Sequence, residues 1–450
     1  MFARSLLWSS LLLVGALGAC KGVDPVFVDA APVDADTDVA LGPATITVNR
    51  TYNEGNPGEP LEGAPVFFIR PDGTYEMKAT GPDGKASAEV VAGSAILVAR
   101  QRILAGAPSY TLTAFVGVEP GFDVIAGNKA QPPYTSAGQL TFTWGPVAGA
   151  SYYRFASSCG SPFTSGTSVV LDVNSACPSA TAATAVVTAF DQSGTLVGYS
   201  VDANVNLTAS VGQTRTMPAF TTAPPSAATT YTNLSPATFE SVDFDLELLQ
   251  GDEPLASTGG YGTVTGQTLT LNGPIAPVGS STWIKSRFSP TAQNLLDMFH
   301  VRRHGTQQLT HSLDVGANML PMTTYPSFDP GSRTVAWTLS GGGTGRQADA
   351  VIARGYWYLG ASGTFVDWTV VGPALTSHVT LPPLPTELTT LTPAASDEAY
   401  VNEFWMIDVV GKDGYQAVAT DIIPESDGIF FYSRAFADEQ ELWFTGTLPL

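Results

Sequence analysis

The stretch Ser241-Val242-Asp243-Phe244-Asp245-Leu246-Glu247-Leu248 decides the fold class. Large apolar side chains occupy its even positions from 242 to 248, and carboxylates occupy 243, 245 and 247. Because successive side chains of a strand point to opposite faces, this period of two predicts a β-strand with one buried and one solvated face. A glycoside-cleaving acid pair would instead need two carboxylates that flank a bond in a cleft, and a half-buried strand explains the pattern without one.

The same alternation recurs along the 450-residue chain, and no sustained helical periodicity accompanies it. The chain also contains 45 glycines and 33 prolines, which suit many short strands joined by turns. The chain is longer than a domain that folds around a single hydrophobic core usually is. The sequence therefore predicts an all-β fold of tandem β-sandwich domains. Further alternating segments begin at Ile46, Tyr110, Leu140, Val186, Val335 and Phe404.

The balance of charge restricts the partners of the protein. Lysine and arginine number 20 and aspartate and glutamate 40, which gives a formal net charge of -20. A nucleic-acid partner is disfavoured, because phosphate binding needs basic side chains. The chain also offers no basic patch for anionic lipid headgroups. An acidic, well-solvated surface on an exported protein accounts for this composition.

The first twenty residues resemble a bacterial lipoprotein signal peptide. Arg4 precedes an apolar run from Ser5 to Ala16, which is shorter than the ~20 residues that span a bilayer. Leu17-Gly18-Ala19-Cys20 then matches the lipobox of bacterial lipoproteins. This resemblance implies cleavage before Cys20 and lipidation of its thiol, hence a membrane partner held through lipid. In an ordinary secretory signal, Cys20 would be incidental.

Lys21 follows the cysteine, and the sorting rule of such lipoproteins retains proteins with aspartate at that place in the inner membrane. The resemblance therefore favours an exported protein anchored to the outer membrane, facing the periplasm or the exterior. Residues 21–42 form an acidic, extended linker. Asp34, Asp36 and Asp38 have the spacing that begins a calcium loop, but the glycine and the later glutamate of that loop are missing.

The other two cysteines, Cys159 and Cys177, form an even pair in an exported chain. A disulfide is the hypothesis that an oxidising compartment favours, and two buried free thiols are the alternative. Two cysteines without a nearby histidine make only half of a zinc site. The sequence thus indicates neither a metal nor any other cofactor here.

Four folded units are predicted, with borders at 43–128, 129–222, 223–325 and 326–450. In the first, Gly63-Ala64-Pro65-Val66 begins a strand, Pro71-Asp72-Gly73 and Thr80-Gly81-Pro82-Asp83-Gly84 form turns, and Gly93 precedes a further strand. This order resembles the carboxypeptidase regulatory-like domain, a small transthyretin-like sandwich. The resemblance implies an accessory module that performs no chemistry.

The second unit resembles a fibronectin type III domain, one of the Ig-like sandwiches. Its first strand ends in Trp144-Gly145-Pro146, and Tyr152 and Tyr153 follow on the next strand. The resemblance implies that Trp144 packs in the core. The fourth unit repeats a tryptophan strand around Trp337, so a second fibronectin III-like sandwich is expected there. The third unit, which begins at a proline-rich linker, is expected to be a further β-sandwich.

Histidines provide the only weak candidates for a metal site. His300 and His304 would share one face of a strand, and His311 follows closely. No His-Glu-x-x-His motif is present, and Arg302 and Arg303 would weaken cation binding. Edge or loop histidines are the simpler interpretation. A hydrolase would need a cleft around His300, His304 and Asp297.

The function that these patterns favour is a non-enzymatic surface lipoprotein whose sandwich modules have structural or binding roles. No Gly-x-Ser-x-Gly motif, phosphate loop or dinucleotide motif occurs in the sequence. Binding of a surface polysaccharide or protein is the alternative, if a row of exposed tryptophans stacks on sugar rings. The candidates for that row are Trp357, Trp368, Trp405 and Trp443.

Overall fold

The fold is built almost entirely of β-strands. The computed structural model describes residues 40–51, 56–104, 107–128, 135–175, 177, 180–342, 346–374, 377–420, 424–425, 428–429 and 438–447. The predicted signal peptide with Cys20, and the predicted acidic linker up to residue 39, lie outside the described residues. Within the described part, no helix has both the length and the apolar character needed to cross a bilayer.

The first half of the chain supplies strands in the following order. They are β1 (Gly42–Val48), β2 (Pro65–Ile69), β3 (Tyr75–Ala79), β4 (Lys85–Val90), β5 (Ser94–Leu104), β6 (Ala107–Val118), β7 (Asp123–Ala126), β8 (Ser136–Thr143), β9 (Tyr152–Ala156), β10 (Phe163–Thr164), β11 (Ser168–Asn174), β12 (Ala183–Phe190), β13 (Leu196–Val205), β14 (Thr214–Thr216), β15 (Ser226–Thr232) and β16 (Phe239–Gln250).

The second half continues the series with two short helices. The strands are β17 (Glu253–Thr263), β18 (Thr268–Pro274), β19 (Ser281–Pro290), β20 (Asp297–His304), β21 (Thr310–Asp314), β22 (Pro321–Thr323), β23 (Ser327–Asp329), β24 (Thr334–Ala336), β25 (Leu339–Gly342), β26 (Ala350–Leu359), β27 (Thr364–Pro373), β28 (His378–Thr380), β29 (Glu398–Val409), β30 (Pro424–Glu425), β31 (Gly428–Ile429) and β32 (Glu441–Gly446). The helices are α1 (Val315–Asn318) and α2 (Tyr415–Ala419), and 3₁₀ turns span Thr208–Ser210 and Thr386–Leu391. The predicted all-β class is confirmed.

The turns predicted in the first unit are present. Gly73 and Gly84 have φ of 85° and 72°, a left-handed conformation that glycine adopts without steric cost. Asp72 Oδ1 accepts hydrogen bonds from the backbone N–H of Thr74 at 2.9 Å and from its hydroxyl at 2.7 Å. This Asx arrangement fixes the turn between β2 and β3.

The second unit is a two-sheet sandwich. One sheet has the order β10-β9-β12-β13 and the other β11-β8-β14. A core between them includes Leu140, Phe142 and Phe155, all 0% exposed. Trp144 is 4% exposed, and its ring centroid lies 5.7 Å from that of Tyr153. The predicted core position of Trp144 is confirmed.

A twelve-stranded sheet forms the rest of the body, in the order β17-β16-β19-β20-β32-β29-β26-β27-β6-β5-β2-β3. Three smaller sheets lie against it, each across its own hydrophobic core, and so complete the sandwiches. The smaller sheets are β4-β1-β7, β18-β15-β21 and β23-β24-β28.

The large sheet joins strands from three of the four predicted units. Strand β6 of unit 43–128 pairs in parallel with β27 of unit 326–450, from Ser109↔Phe365 to Phe115↔Val371. Strand β20 of unit 223–325 pairs with β32, which belongs to unit 326–450. These three units therefore share one hydrogen-bonded sheet, whereas unit 129–222 has two sheets of its own. The borders themselves stay a prediction.

The predicted disulfide joins Cys159 and Cys177. Their Cα atoms lie 4.6 Å apart, and 18 positions separate them in the sequence. Cys159 follows β9 in one sheet of the second sandwich, and Cys177 follows β11 in the other. The bridge therefore links the two layers of that sandwich beside its core.

Replacing both cysteines, as Cys159→Ser with Cys177→Ser, should lower the free energy of unfolding of the second sandwich by ~3 kcal/mol, because the unfolded chain loses a closed loop. Urea unfolding followed by tryptophan fluorescence measures this. Reduction of the wild-type protein is the matched control and should give the same loss. Alkylation of both cysteines in denatured, unreduced protein would contradict the bridge.

Candidate functional site

A cleft of about 660 Å³ opens where the second sandwich meets the first strands of the large sheet. Strands β16, β17, β18 and β19 line one part of it, and the end of β12 with the start of β13 lines the other. The side chains that line it include those of Phe190, Thr195, Asp245, Glu247, Ser257, Thr258, Asn272, Trp283 and Lys285.

The floor of the cleft is the face of β16 that the sequence marked as acidic. Asp245 is paired across the strands with Lys285 of β19 and with Gly259 of β17. One step along the same face, Glu247 is paired with Trp283 and Ser257. The opposite face of β16 is buried, and Phe244, Leu246 and their neighbours are at most 1% exposed. The half-buried strand is thus confirmed, with two of its carboxylates facing a cleft.

The charged side chains on the floor of the cleft shift one another's pKa values. Reduced contact with water raises the pKa of Asp245, and the neighbouring Lys285 ammonium partly offsets this. Burial likewise lowers the pKa of Lys285, and Asp245 opposes that shift. A cross-strand carboxylate–ammonium pair at the base of an open cleft is therefore available to hydrogen-bond with a polar ligand.

The wall from the second sandwich is held in place by polar contacts. Asp191 Oδ1 accepts hydrogen bonds from the backbone N–H groups of Ser193 and Thr195, each at 2.9 Å, which fixes the turn after β12. Arg154 Nη1 donates a 2.8 Å hydrogen bond to Ser257 Oγ in β17. The ring of Phe190 stacks on that of Tyr152 at 5.2 Å. The hydrogen bond from Arg154 to Ser257 thus connects the wall, in the second sandwich, with the floor, in the large sheet.

Glycines allow neighbouring strands to pack closely at the base of the cleft. A Cβ atom on Gly259 would lie 2.8 Å from Asp245 Oδ1, and one on Gly273 would lie 2.2 Å from Thr258 Oγ1. Both distances are shorter than a side chain tolerates. Glycine within a strand commonly marks a place where another backbone or a ligand comes close.

A second, smaller pocket contains the predicted histidines. It has a volume of about 140 Å³ and lies between β15 and β21 on one side and β19 and β20 on the other. His300 and His304 are 3% and 7% exposed within β20, which has a strand on each side. The expectation of edge or loop histidines is therefore wrong for His300 and His304, because β20 is interior to the large sheet and a second sheet covers this face.

The structure brings His311 of β21 to the same pocket. Its ring stacks on that of His304, with centroids 5.2 Å apart and an angle of 26° between the planes. Burial lowers the pKa of all three histidines, and for His311 the value falls to about 4. The imidazoles are consequently neutral at neutral pH.

The carboxylates of Glu439 and Glu441 contact residues that line this pocket. Glu441 Oε1 lies 3.4 Å from His300 Nε2 and accepts a 2.9 Å hydrogen bond from Trp443 Nε1. Burial opposes ionisation of Glu441, yet its contacts with His300, Trp443 and Arg302 lower its pKa to about 2. Arg302 lies between Glu441 and Glu439, 3.5 Å from each.

A metal site does not follow from this arrangement. Among the described residues, no three histidine, cysteine or carboxylate side chains converge in a way that would hold an ion. His304 and His311 stack face to face, and the Arg302 guanidinium also lines the pocket. Asp297, the third residue of the hydrolase hypothesis, does not line it and pairs instead with Arg287 at 2.7 Å.

The four tryptophans considered for sugar stacking are buried. Trp357, Trp368 and Trp443 are 0% exposed and Trp405 is 1% exposed. Each points into a core between the large sheet and one of the smaller sheets. An exposed row of these residues is therefore ruled out, because both faces of their strands are covered where they lie.

Sequence reasoning missed Lys285, Asn272 and Trp283 as neighbours of the acidic strand. They come from two other strands, and nothing local links them to Asp245. One available signal was the run Gly259-Gly260-Tyr261-Gly262, which is unusual for the interior of a strand.

Comparison with solved structures gives matches of low similarity. The TIE protein of Bacillus anthracis is 11% identical, with 61% of this chain and 50% of that chain covered and a TM-score of 0.15. A DUF3823 family protein from Parabacteroides merdae ATCC 43184 is 9% identical over 56% and 92%, with a TM-score of 0.15. A putative adhesin from Bacteroides ovatus ATCC 8483 is 9% identical over 67% and 98%, with a TM-score of 0.17.

These scores are too low to establish a shared arrangement of the sheets. The chain spans half the length of the Bacillus anthracis protein that it matches. No protein-family model matches the chain, and no curated protein matches it. The assignment of function therefore depends on the residues of this chain.

Acidification should destabilise the histidine pocket. The folded-state pKa values of the three histidines lie below that of unfolded histidine, near 6.5, so the unfolded chain binds more protons as the pH falls. Their contribution to stability is complete above about pH 7 and decreases towards pH 4. Because His311 is half-buried, we expect it to account for about 1–2 kcal/mol of this loss.

The measurement is the free energy of unfolding of wild type and of His311→Asn from pH 7.5 to pH 4.5. The carboxylates titrate equally in both proteins, so the difference between the two curves isolates His311. We expect the variant to lose less stability on acidification. Parallel curves would show that His311 binds protons equally well in the folded and unfolded states.

Proposed function

We propose that this protein is an exported, non-enzymatic lipoprotein of the cell envelope that binds a surface component through the cleft between its second sandwich and its large sheet. The observation that carries the proposal is the cleft itself. It lies at a junction between sandwiches, where ligand sites are common, and polar side chains from both parts converge on it.

The anchor supports the location in the envelope. Leu17-Gly18-Ala19-Cys20 follows a short apolar run, as a lipobox does, and an acidic linker separates it from the first strand. Several acyl chains give stable membrane attachment, and an extended linker would hold the body away from the lipid. A strongly acidic surface suits a protein that remains soluble while tethered.

The connected body supports a binding role that withstands force. One sheet runs through strands from the first, third and fourth predicted units, and hydrogen bonds connect each strand to the next. The Arg154–Ser257 hydrogen bond joins the second sandwich to this sheet beside the cleft. A ligand held in the cleft would thus be connected through hydrogen-bonded strands to the first predicted unit of the body.

The cleft chemistry supports binding over catalysis. Its described lining contains no histidine and no cysteine, and its lysine lies opposite Asp245 on the neighbouring strand, where the carboxylate charge favours the ammonium form. Hydroxyl nucleophiles need an adjacent base to react, and the histidines of this chain that lie in β20 and β21 line a different pocket. The two carboxylates of the cleft, Asp245 and Glu247, lie on one face of a single strand and so approach a ligand from the same side, whereas glycoside cleavage needs two that flank the bond.

The anchor is tested by Cys20→Ala. We expect the wild-type protein to sediment with membranes and the variant to become soluble, because the thiol that carries the acyl chains is gone. Fractionation and mass spectrometry of the mature N-terminus measure this. Lys21→Asp is the matched control: it keeps the lipid and, by the sorting rule of lipoproteins, should stay membrane-bound in the inner membrane. Membrane attachment of Cys20→Ala would contradict the proposal.

A further inference from the structure

We propose that the cleft binds an uncharged, polyhydroxylated ligand, namely a short stretch of a surface saccharide. This rests on the proposed function and specifies its ligand. Its support comes from three features of the cleft: the polar floor, the aromatic wall and the sign of the local charge.

The floor presents donors and acceptors at short intervals along one face. Carboxylate oxygens of Asp245 and Glu247, the Lys285 ammonium, the Asn272 amide and the Ser257 hydroxyl all line the same cleft. Adjacent hydroxyls on a sugar ring both donate and accept, so a carboxylate or amide can engage two of them together. Such mixed groups satisfy a ligand that carries many hydroxyls and no net charge.

Trp283 supplies a buried polar group beside the cleft. It lines the cleft, is 5% exposed, and its buried indole Nε1 has no hydrogen-bond partner among the described residues. Trp144, Trp337 and Trp368 share this condition, so the indole is compatible with a ligand but does not by itself indicate one. A ligand hydroxyl that reached this N–H would supply the missing acceptor.

The wall offers an apolar surface beside these polar groups. Phe190 lines the cleft and stacks on Tyr152, whose ring lies 6.3 Å from that of Phe163. Phe163 is 66% exposed, so this aromatic series extends from the cleft to the surface. Sugar rings carry apolar C–H faces that pack on aromatic side chains, whereas their hydroxyls seek polar groups.

The negative charge of the cleft and of the whole chain disfavours acidic ligands. Two carboxylates and one ammonium line the cleft, in a chain with a formal net charge of -20. Uronic-acid, sulfated or phosphorylated polymers would be repelled by this field. A volume of about 660 Å³ lies within the range of small-ligand sites, so we expect a few sugar units to be held.

The test uses the mature, full-length protein on an array of neutral, amino-bearing and acidic glycans, followed by calorimetric titration with the best neutral oligosaccharide. We expect binding to neutral glycans. Asn272→Ala and Lys285→Ala should each weaken the affinity about tenfold, because each removes a hydrogen-bonding group from the cleft. Thr195→Trp should abolish binding by filling the mouth of the cleft from an exposed turn.

Asp243→Asn is the matched control. Asp243 lies on the same strand and the same face as Asp245 but does not line the cleft, so its substitution should leave the affinity within about twofold. Circular dichroism and thermal unfolding establish that each variant is folded. Thr195→Trp blocks the cleft without removing a side chain from its floor.

Three results would overturn the inference: no glycan binding by folded protein, preference for acidic glycans or for peptides, or equal losses from Asp243→Asn and Asn272→Ala. A different set of results tests the proposed function. Membrane attachment that depends on Cys20, together with binding to whole cells that Thr195→Trp abolishes but neutral glycans do not compete for, would preserve surface binding through the cleft while removing the saccharide as its ligand.

Discussion

The parallel pairing of β6 with β27 is the constraint on which the body of the protein depends. It joins residues more than 250 positions apart, with a register from Ser109↔Phe365 to Phe115↔Val371. On one face of this pair Phe115 and Val371 enter one core, and on the other face Leu112 and Trp368 enter a second. Without the pairing, both cores would lose the strands of the first unit. The hydrogen bonds thus turn separate segments of the chain into one layer that the smaller sheets cover.

Local patterns in the sequence predict most of the strands but not their partners. The alternation at 242–248, the tryptophan strand that ends at Trp144, and the Asp-Gly turns at Asp72 and Asp83 all depend on neighbours in the chain, and the structure confirms them. The pairing of β6 with β27 depends on backbone groups that every residue carries, so no side-chain signature marks it. The resemblance to small sandwich modules predicted four separate units for the same reason. Each segment of the sequence alone looks like a complete sandwich module.

The candidate site shows the same division. The sequence placed Asp245 and Glu247 together on one face, and His300 and His304 together on another, because strand periodicity fixes these relations. It did not place Lys285 or Asn272 beside Asp245, or His311 beside His304, since those contacts join different strands. The sequence left open whether the tryptophans of β26, β27, β29 and β32 are exposed, because alternation identifies a face but does not tell whether another sheet covers it.

The position of the last strand has a consequence for how the protein is made. Strand β32 lies between β20 and β29, in the middle of the large sheet, and hydrogen-bonds with both. The two halves of that layer therefore cannot join until residues 441–446 have arrived. A chain that folds as it is made would complete this sheet only after residues 441–446 had emerged, later than every other strand in it. The order of synthesis thus postpones the joining of the two halves of this layer.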